Sequence, residues 1–199
     1  MQITAIKQQV KRTDRYSIFV DGKYSFSLSE SGLISSGLAS GRELDVAELK
    51  QLKKAAGLDK AYYNALRYAA MRPRSQWEME MYLQRKDADK DTSAEVIRRL
   101  KDLNMLSDSD FARSWIANRR LLKSTSKRRL RLELMQKHVP DEIIQEALAE
   151  DATDERDALR RLVEKKRRRY PDQQKFMRYL ASQGFSYDDI KSVLSEEEL

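Results

Sequence analysis

The sequence contains no cysteine in its 199 residues and only one histidine, His138. The lack of cysteine excludes disulfides, thiolate zinc ligands and thiol nucleophiles, so the chain needs no oxidising compartment. One histidine leaves no pair of imidazoles for a transition-metal site. No apolar run approaches the roughly 20 residues that cross a bilayer, and Met1–Val10 lacks the apolar core of a secretion signal. We therefore expect a cytoplasmic protein that uses no membrane segment, metal or other cofactor.

Motifs for enzyme chemistry are also missing. Gly32 and Gly37 have the spacing that opens a phosphate-binding loop, but Leu38 and Ala39 follow where that motif needs Lys and Ser or Thr. The sequence has no Gly-x-Ser-x-Gly elbow to present a nucleophilic serine. We therefore expect a protein that is not an enzyme.

Two acidic pairs have an alternative interpretation as a magnesium site. Asp108 with Asp110, and Asp188 with Asp189, lie where helices are expected to begin. Carboxylates at such positions accept hydrogen bonds from unpaired amides and meet the positive end of the helix dipole. Helix capping explains both pairs, although their residue types alone leave magnesium binding open.

The N-terminal region has the pattern of a β-hairpin. Between Arg15 and Ser29, aromatic and aliphatic residues alternate with polar ones on both sides of Asp21-Gly22. Asp-Gly tolerates the positive φ angles of a two-residue type I′ turn. The segment Ile3–Lys11 can add a third strand.

The rest of the chain has the composition of a helical protein. It combines 36% charged and 40% hydrophobic residues with only 3 prolines and 6 glycines, too few for the many turns of a sandwich or barrel. Asp45 is a candidate N-cap with Glu48 three residues on, which predicts a helix there. From Asp59 onward the pattern predicts one helix after another.

A repeat with a fixed offset of 46 residues joins two stretches of this helical region. The paired positions are Ala112 and Ala158, Leu134 and Leu180, His138 and Gly184, Val139 and Phe185, Ile144 and Ile190, and Leu148 and Leu194. Each stretch predicts a long first helix, a second helix ending near His138 or Gly184, and a short third helix capped by Asp141 or Ser186.

An earlier unit from Lys60 to Leu106 fits the same plan more loosely, with helices at Tyr62–Ala70, Ser75–Gln84 and Thr92–Leu103. We predict a mainly α fold of tandem three-helix repeats in an elongated, curved array, with a small N-terminal β-hairpin element. The predicted divisions are residues 1–57 for the N-terminal hairpin and helix, and 58–107, 108–153 and 154–199 for the three repeats. A single compact helical bundle with coincidental spacing is the alternative.

Positive charge is concentrated in the second of these repeats. The segment Arg113–Lys137 holds nine basic residues and one acidic residue, Glu133. A solvated helix face usually mixes both signs, so this bias favours binding to phosphates or to an acidic protein groove. A merely solvated face is the alternative. The candidate contacts are Arg119, Arg120, Lys123, Lys127, Arg128 and Arg131, with Arg72 and Arg74 as a second group.

A second basic run, Lys165–Arg169, is a weaker candidate by sequence. Asp157 with Arg161, and Glu164 with Arg168, have the i, i+4 spacing of helical ion pairs. The last turn of a helix also favours cations through the dipole. These local effects account for much of the run without a ligand. Aromatic residues such as Phe176 and Tyr179 lie beside apolar positions at helical spacing, which predicts core packing rather than base stacking.

The sequence resembles the RecX family of bacterial regulatory proteins along essentially its whole length. The segments that resemble the first repeat of the family are Ala65-Leu66-Arg67-Tyr68, Arg72-Pro73-Arg74-Ser75, Glu78 and Tyr82-Leu83. Those that resemble the later repeats are Leu103–Leu106, Ser107-Asp108, Asp110-Phe111-Ala112, Ser126-Lys127-Arg128-Arg129-Leu130, Glu133-Leu134, Lys137-His138-Val139 and Gly184–Ile190. Those that resemble the β-containing extension of some members are Ile18–Phe26 and Gly41–Leu44.

Two positions depart from the family pattern. His138 stands where members usually have Gly at a helix end, which makes a left-handed cap costlier there. Lys123-Ser124-Thr125 stands where members commonly have Gly before the basic helix, so the loop geometry is expected to differ.

The resemblance implies a regulator that binds in the groove of the RecA filament on single-stranded DNA, and we expect the protein itself to be a monomer. It implies modulation, mainly inhibition, of the ATPase, strand-exchange and co-protease activities of RecA in DNA repair and the SOS response. Weak direct contact with DNA is a further expectation. The alternative function is a helical module that binds nucleic acid and acts on DNA without RecA. The family motifs do not identify a shared contact site, so the basic candidates above rest on charge alone.

Overall fold

The computed structural model describes residues 1–196, which divide into two compact units. The first unit comprises residues 1–72 and 79–106, and the second comprises residues 73–78 and the chain from Ser107 onward. Within residues 1–196, no helix is both long enough and apolar enough to cross a membrane.

The first unit begins with a three-stranded antiparallel sheet in the order β1-β2-β3. The strands are β1 (Ile3–Gln8), β2 (Arg15–Val20) and β3 (Lys23–Ser29). Asp21 and Gly22 join β2 to β3 with φ angles of 49° and 79°, as a type I′ turn requires. The predicted hairpin and third strand are therefore confirmed.

Two helices follow the sheet, α1 (Glu30–Ser36) and α2 (Val46–Met71). The carboxylate of Asp45 accepts a hydrogen bond from the amide of Glu48 at 2.7 Å, so the predicted N-cap is confirmed. The prediction of separate helices on either side of residue 57 is wrong, because α2 runs through Gly57 for 26 residues without a break. The predicted division between residues 57 and 58 thus falls inside α2.

Helix α2 is continuous because its two halves pack into two different cores of the first unit. Ala56 joins the cluster formed with the sheet, whereas Ala61, Ala65 and Ala69 join the cluster of the first three-helix group. Asp59 lies between these halves and pairs with the buried Arg15 at 3.2 Å. The first group is completed by α3 (Gln76–Gln84) and α4 (Lys90–Asp102).

The second unit contains two further three-helix groups, called here repeat 2 and repeat 3. Repeat 2 consists of α5 (Asp108–Lys123), α6 (Lys127–Met135) and α7 (Asp141–Glu150). Repeat 3 consists of α8 (Glu155–Lys166), α9 (Gln173–Ser182) and α10 (Tyr187–Glu196), with a short 3₁₀ turn at Arg167–Arg169. The tandem three-helix prediction is confirmed.

The 46-residue offset marks equivalent core positions of repeats 2 and 3. Leu134 and Leu180 are fully buried, as are Ile144 and Ile190. Val139 and Phe185 are each 5% exposed and follow the residues of positive φ that end the second helices. The repeat seen in the sequence is therefore a repeat of packing.

The third helices of repeats 2 and 3 begin in different ways. Asp141 was assigned as the cap of the third helix, but the N-cap position is Pro140, and Asp141 is the first helical residue. Ser186 does cap α10, because its hydroxyl accepts from the amide of Asp189 at 3.1 Å.

Candidate polyanion-binding cleft

Arg120 was predicted as a surface contact, and the structure corrects that assignment. Its side chain is 7% exposed and donates to Asp151 at 2.8 Å, to Glu155 at 2.7 Å and to the carbonyl of Thr125 at 2.6 Å. Because these acceptors surround its guanidinium, Arg120 holds the segments of repeats 2 and 3 together and is not accessible to a partner.

Two more candidates are paired within the unit. Arg119 lies 2.7 Å from Glu133 and its guanidinium stacks over Trp115 at 4.5 Å. Arg131 lies 2.9 Å from Asp141. The one-sided charge seen along Arg113–Lys137 is therefore partly neutralised in space, because acids from later in the chain fold back onto it.

The remaining candidates differ in their surroundings. Lys123 and Arg128 are exposed and Lys127 is half-buried, and within residues 1–196 none of the three side chains forms an ion pair. Arg72 and Arg74 fall in different units, and each takes part in an interaction within the chain.

The run Lys165–Arg169 is more available than the sequence suggested. Helix α8 ends at Lys166, and Asp157 pairs with Arg160 at 2.7 Å instead of with Arg161. In the described part of the chain, no ion pair involves Lys165, Lys166, Arg168 or Arg169. The two predicted ion pairs are therefore absent from residues 1–196, and the side chains of Lys165, Lys166, Arg168 and Arg169 remain available to an outside anion.

A cleft of about 400 Å³ brings cations from both basic regions together. Lys123 and Arg129 contribute from repeat 2, and Lys165 and Lys166 contribute from the last turn of α8 in repeat 3. Cations at a helix C-terminus complement the dipole, so α8 supports both lysines without neutralising them. The other residues that line the cleft are Leu122, Ser124, Thr125, Glu133, Leu162, Tyr179 and Gln183.

Glu133 is the acidic residue of this lining, and its charge is already engaged. Its carboxylate accepts from Arg119 at 2.7 Å and from the indole nitrogen of Trp115 at 2.9 Å, and it lies 3.7 Å from Arg129. The cleft therefore keeps a net positive charge. Such a surface attracts phosphates or clustered carboxylates of a partner.

Tyr179 adds an aromatic wall to the cleft. Its ring stacks on Tyr170 with centroids 4.7 Å apart, and burial raises the pKa of its phenol. The ring is half-buried. One part of it packs against the core of repeat 3, as predicted, and the other part lines the cleft. Cations beside an aromatic ring are the combination that binds single-stranded nucleic acid.

A second cavity of about 520 Å³ adjoins the first and shares Arg129, Glu133 and Gln183 with it. Arg128 lines it from α6 and Gln136 from the C-cap of that helix, and the segment Ala181–Gly184 lines it from repeat 3. Of the predicted contacts, Lys123 thus lies in the first cavity and Arg128 in the second. Arg129 connects the two.

The prediction from sequence missed Arg129, Lys165, Lys166 and Tyr179 as members of one site. The basic run itself was the available signal for the two lysines, but it was set aside in favour of helical ion pairs. No local pattern indicates that Tyr179 approaches Lys123, since 56 positions of chain separate them.

The acidic pairs lie in first helical turns, as expected from capping. Asp108 accepts from the amide of Gln76 at 2.8 Å, and Asp110 lies 2.8 Å from Arg113, whose hydrogen bond lowers the pKa of that carboxyl. Among residues 1–196, no group of three potential ligand side chains converges in a way that could hold a metal ion.

Comparison with known families matches four domain models of one family to most of this chain. The N-terminal domain model of the regulatory protein RecX matches residues 1–45. The models of the first, second and third RecX three-helix domains match residues 61–100, 107–148 and 154–194.

Individual relatives agree with this assignment. The regulatory protein RecX of Bacillus subtilis is 32% identical over 205 residues, covering 98% of this chain and 77% of the relative. That of Lactobacillus gasseri is 38% identical over 148 residues, covering 74% of this chain and 54% of the relative. A crystal structure of regulatory protein RecX superposes with a TM-score of 0.74 at 26% identity, covering 98% of both chains. The chain therefore belongs to the RecX family of regulatory proteins.

Proposed function

We propose that this protein binds within the groove of the RecA filament on single-stranded DNA and modulates RecA, mainly by inhibition. Membership of a family named for a regulatory protein supports the general role. The observation that supports the specific proposal is the cleft lined by Lys123, Arg129, Lys165 and Lys166. The carboxylate in this lining, that of Glu133, is already paired with Arg119. A filament presents DNA phosphates and acidic protein side chains, and both match this charge.

The proposed mechanism is occupation of space, without catalysis by this chain. A bound protein in the groove would hinder the filament changes that ATP hydrolysis, strand exchange and co-protease activity require. Tandem repeats supply several weak contacts whose effects combine through effective concentration. A monomer in the cytoplasm is sufficient for this role, and a chain without cysteine suits that compartment.

The experiment that tests this proposal is a titration of the protein into RecA with single-stranded DNA and ATP. We expect DNA-dependent ATP hydrolysis to fall as the protein approaches stoichiometry with RecA. Unchanged hydrolysis at that ratio, together with no co-sedimentation with filaments, would contradict the proposal.

A second candidate function is direct binding to single-stranded nucleic acid, and Tyr179 in the cleft wall is the observation that favours it. Bases can stack on such a ring while cations hold the phosphates. If phosphates are the target, log K should fall with log salt by about 0.7 for each neutralised phosphate of a single strand. Fluorescence anisotropy with a labelled oligonucleotide and no RecA measures that slope. Binding to RecA filaments without measurable oligonucleotide binding would favour the first function over this one.

A further inference from the structure

Ser126, which precedes α6, the second helix of repeat 2, links repeat 2 to repeat 3. The hydroxyl of Ser126 accepts from the amide of Arg129 at 3.2 Å, which caps α6, and donates to the carbonyl of Gln183 at 2.7 Å, which lies at the end of α9. Ser126 is fully buried. One hydroxyl thus satisfies a free donor at one helix start and a free acceptor at another helix end.

The same arrangement occurs a second time in this unit. The hydroxyl of Ser75 accepts from the amide of Glu78 at 3.2 Å and donates to the carbonyl of Lys137 at 3.0 Å, at the end of α6. Ser75 is also fully buried. The accepting carbonyls of Lys137 and Gln183 are themselves 46 positions apart, so they are equivalent positions of the repeat.

A second hydrogen bond accompanies each serine. The amide of Lys127, next to Ser126, donates to the carboxylate of Glu155 at 3.0 Å. The amide of Gln76, next to Ser75, donates to Asp108 at 2.8 Å. Glu155 and Asp108 are each the first residue of the helix that opens a repeat. The hydrogen bond from serine to carbonyl and the one from amide to carboxylate therefore occur together at both places.

Packing at the contact between Ser126 and Gln183 is close enough to restrict the residue that follows Gln183. A Cβ atom on Gly184 would lie 2.5 Å from the hydroxyl oxygen of Ser126, and Gly184 has a φ of 94°. In repeat 3 the equivalent N-cap of α9 is Asp172, which accepts from Lys175 at 2.8 Å. An ionised carboxylate caps a helix but cannot donate to a carbonyl, so Asp172 performs only one of the two functions of Ser126.

We propose that the hydrogen bond from Ser126 to Gln183, together with that from the Lys127 amide to Glu155, positions repeat 3 against repeat 2 and thereby sets the spacing of the cleft cations. Gln183 lines the cleft, and Ser124 and Thr125 on the other side directly precede Ser126. Lys123 and Arg129 lie on one side of this joint, and Lys165 and Lys166 lie on the other. The role of the cleft in binding an anionic partner rests on the proposed function, whereas the joint itself does not.

The test uses a chain that has no cysteine of its own, so two introduced cysteines take spin labels without background. Suitable positions are Leu121, which is 81% exposed on α5, and Arg178, which is exposed on α9. The variants compared are Ser126→Ala and Ser107→Ala. Ser107 caps α5 through the amide of Asp110 at 3.1 Å and, in the described part of the chain, makes no bond to another repeat.

We expect a narrow label-to-label distance distribution in the labelled parent and in Ser107→Ala, and a broadened or shifted one in Ser126→Ala. An unchanged distribution in Ser126→Ala would overturn the proposed joint. If Ser126→Ala does not fold, as judged by circular dichroism, Ser126→Gly replaces it, because glycine retains most of the N-cap preference while removing the hydroxyl. The same two outcomes then apply.

Filament binding separates this proposal from the proposed function. Ser126→Ala should lower the affinity for RecA filaments more than Ser107→Ala does. If the unmodified protein binds no filament, the proposed function fails and the distance measurement still decides on the joint. If filaments bind Ser126→Ala and the parent equally while the distances change, the joint exists but does not set the binding geometry, and that part of the proposal is wrong.

Discussion

The Nη2 atom of Arg120 lies 2.7 Å from Oδ2 of Asp151, and both side chains are only 7% exposed. Arg120 precedes the basic helix α6, and Asp151 precedes the first helix of repeat 3. The pair therefore closes the same junction that Ser126 bridges. Its burial explains why a residue that looks like a surface cation in the sequence stabilises the fold instead.

Replacing Arg120 by Ala should destabilise the second unit strongly. The substitution leaves the carboxylate of Asp151 buried without its partner, and breaking a buried pair in this way costs about 3–5 kcal/mol. Urea unfolding followed by circular dichroism measures the change. Arg113→Ala is the matched control, because Arg113 pairs with Asp110 at an exposed position, and it should leave the midpoint nearly unchanged. Equal midpoints for the two variants would contradict the structural role of Arg120.

The stability supplied by Asp151 should depend on pH. Burial raises the pKa of its carboxyl, but hydrogen bonds from Thr153 and Arg120 outweigh burial and hold the pKa below the ordinary value of 3.8. A lowered folded-state pKa contributes stability that is complete above the unfolded value and is lost as the pH falls through the folded value. Asp151→Asn should therefore destabilise the protein at neutral pH, and this difference should shrink as the pH falls below about 5. A difference that stays constant down to acid unfolding would show that Asp151 carries no such linkage.

The stacking of His138 on Trp77 should compensate for the left-handed backbone conformation of His138. Its φ is 54°, and the two rings lie 4.6 Å apart at an angle of 26°. His138→Ala keeps the unfavourable φ and loses the stacking, so we expect a loss of roughly 1 kcal/mol. His138→Gly loses the same contact but relieves the backbone, and a left-handed conformation costs other residues about 1–2 kcal/mol. Thermal unfolding should therefore rank His138→Gly above His138→Ala, and the reverse order would contradict this explanation.

Local signals in the sequence predicted much of the fold. Asp21-Gly22 defined its hairpin because few dipeptides accept two positive φ angles, and the 46-residue offset marked equivalent core positions of repeats 2 and 3 because burial repeats with the helices. The continuity of α2 was missed at Gly57. A mid-helix glycine costs about 1 kcal/mol, and here the packing of Ala56 and Ala61 into two separate cores offsets it.

The candidate site was harder to predict because its charges depend on distant partners. Asp151 and Glu155 lie 31 and 35 positions beyond Arg120, so a count of charges along one segment misses the compensation. The opposite error affected the run Lys165–Arg169, because the ion pairs predicted beside it, Asp157 with Arg161 and Glu164 with Arg168, are absent from residues 1–196. Local spacing therefore identified which regions are basic, and only the fold determined which cations are available.

Reversing the charge of two cleft lysines tests whether the cleft cations contact the RecA filament. The measurement is inhibition of DNA-dependent ATP hydrolysis by RecA, compared between the parent and Lys165→Glu/Lys166→Glu. Lys50→Glu/Lys53→Glu is the matched control, because it makes the same change in net charge on exposed positions of α2 in the first unit. We predict that the cleft variant needs about tenfold more protein for half-maximal inhibition, since two surface contacts of up to about 1 kcal/mol each are lost, while the control stays close to the parent. Equal potency of the cleft variant and the control would show that Lys165 and Lys166 do not contact the filament.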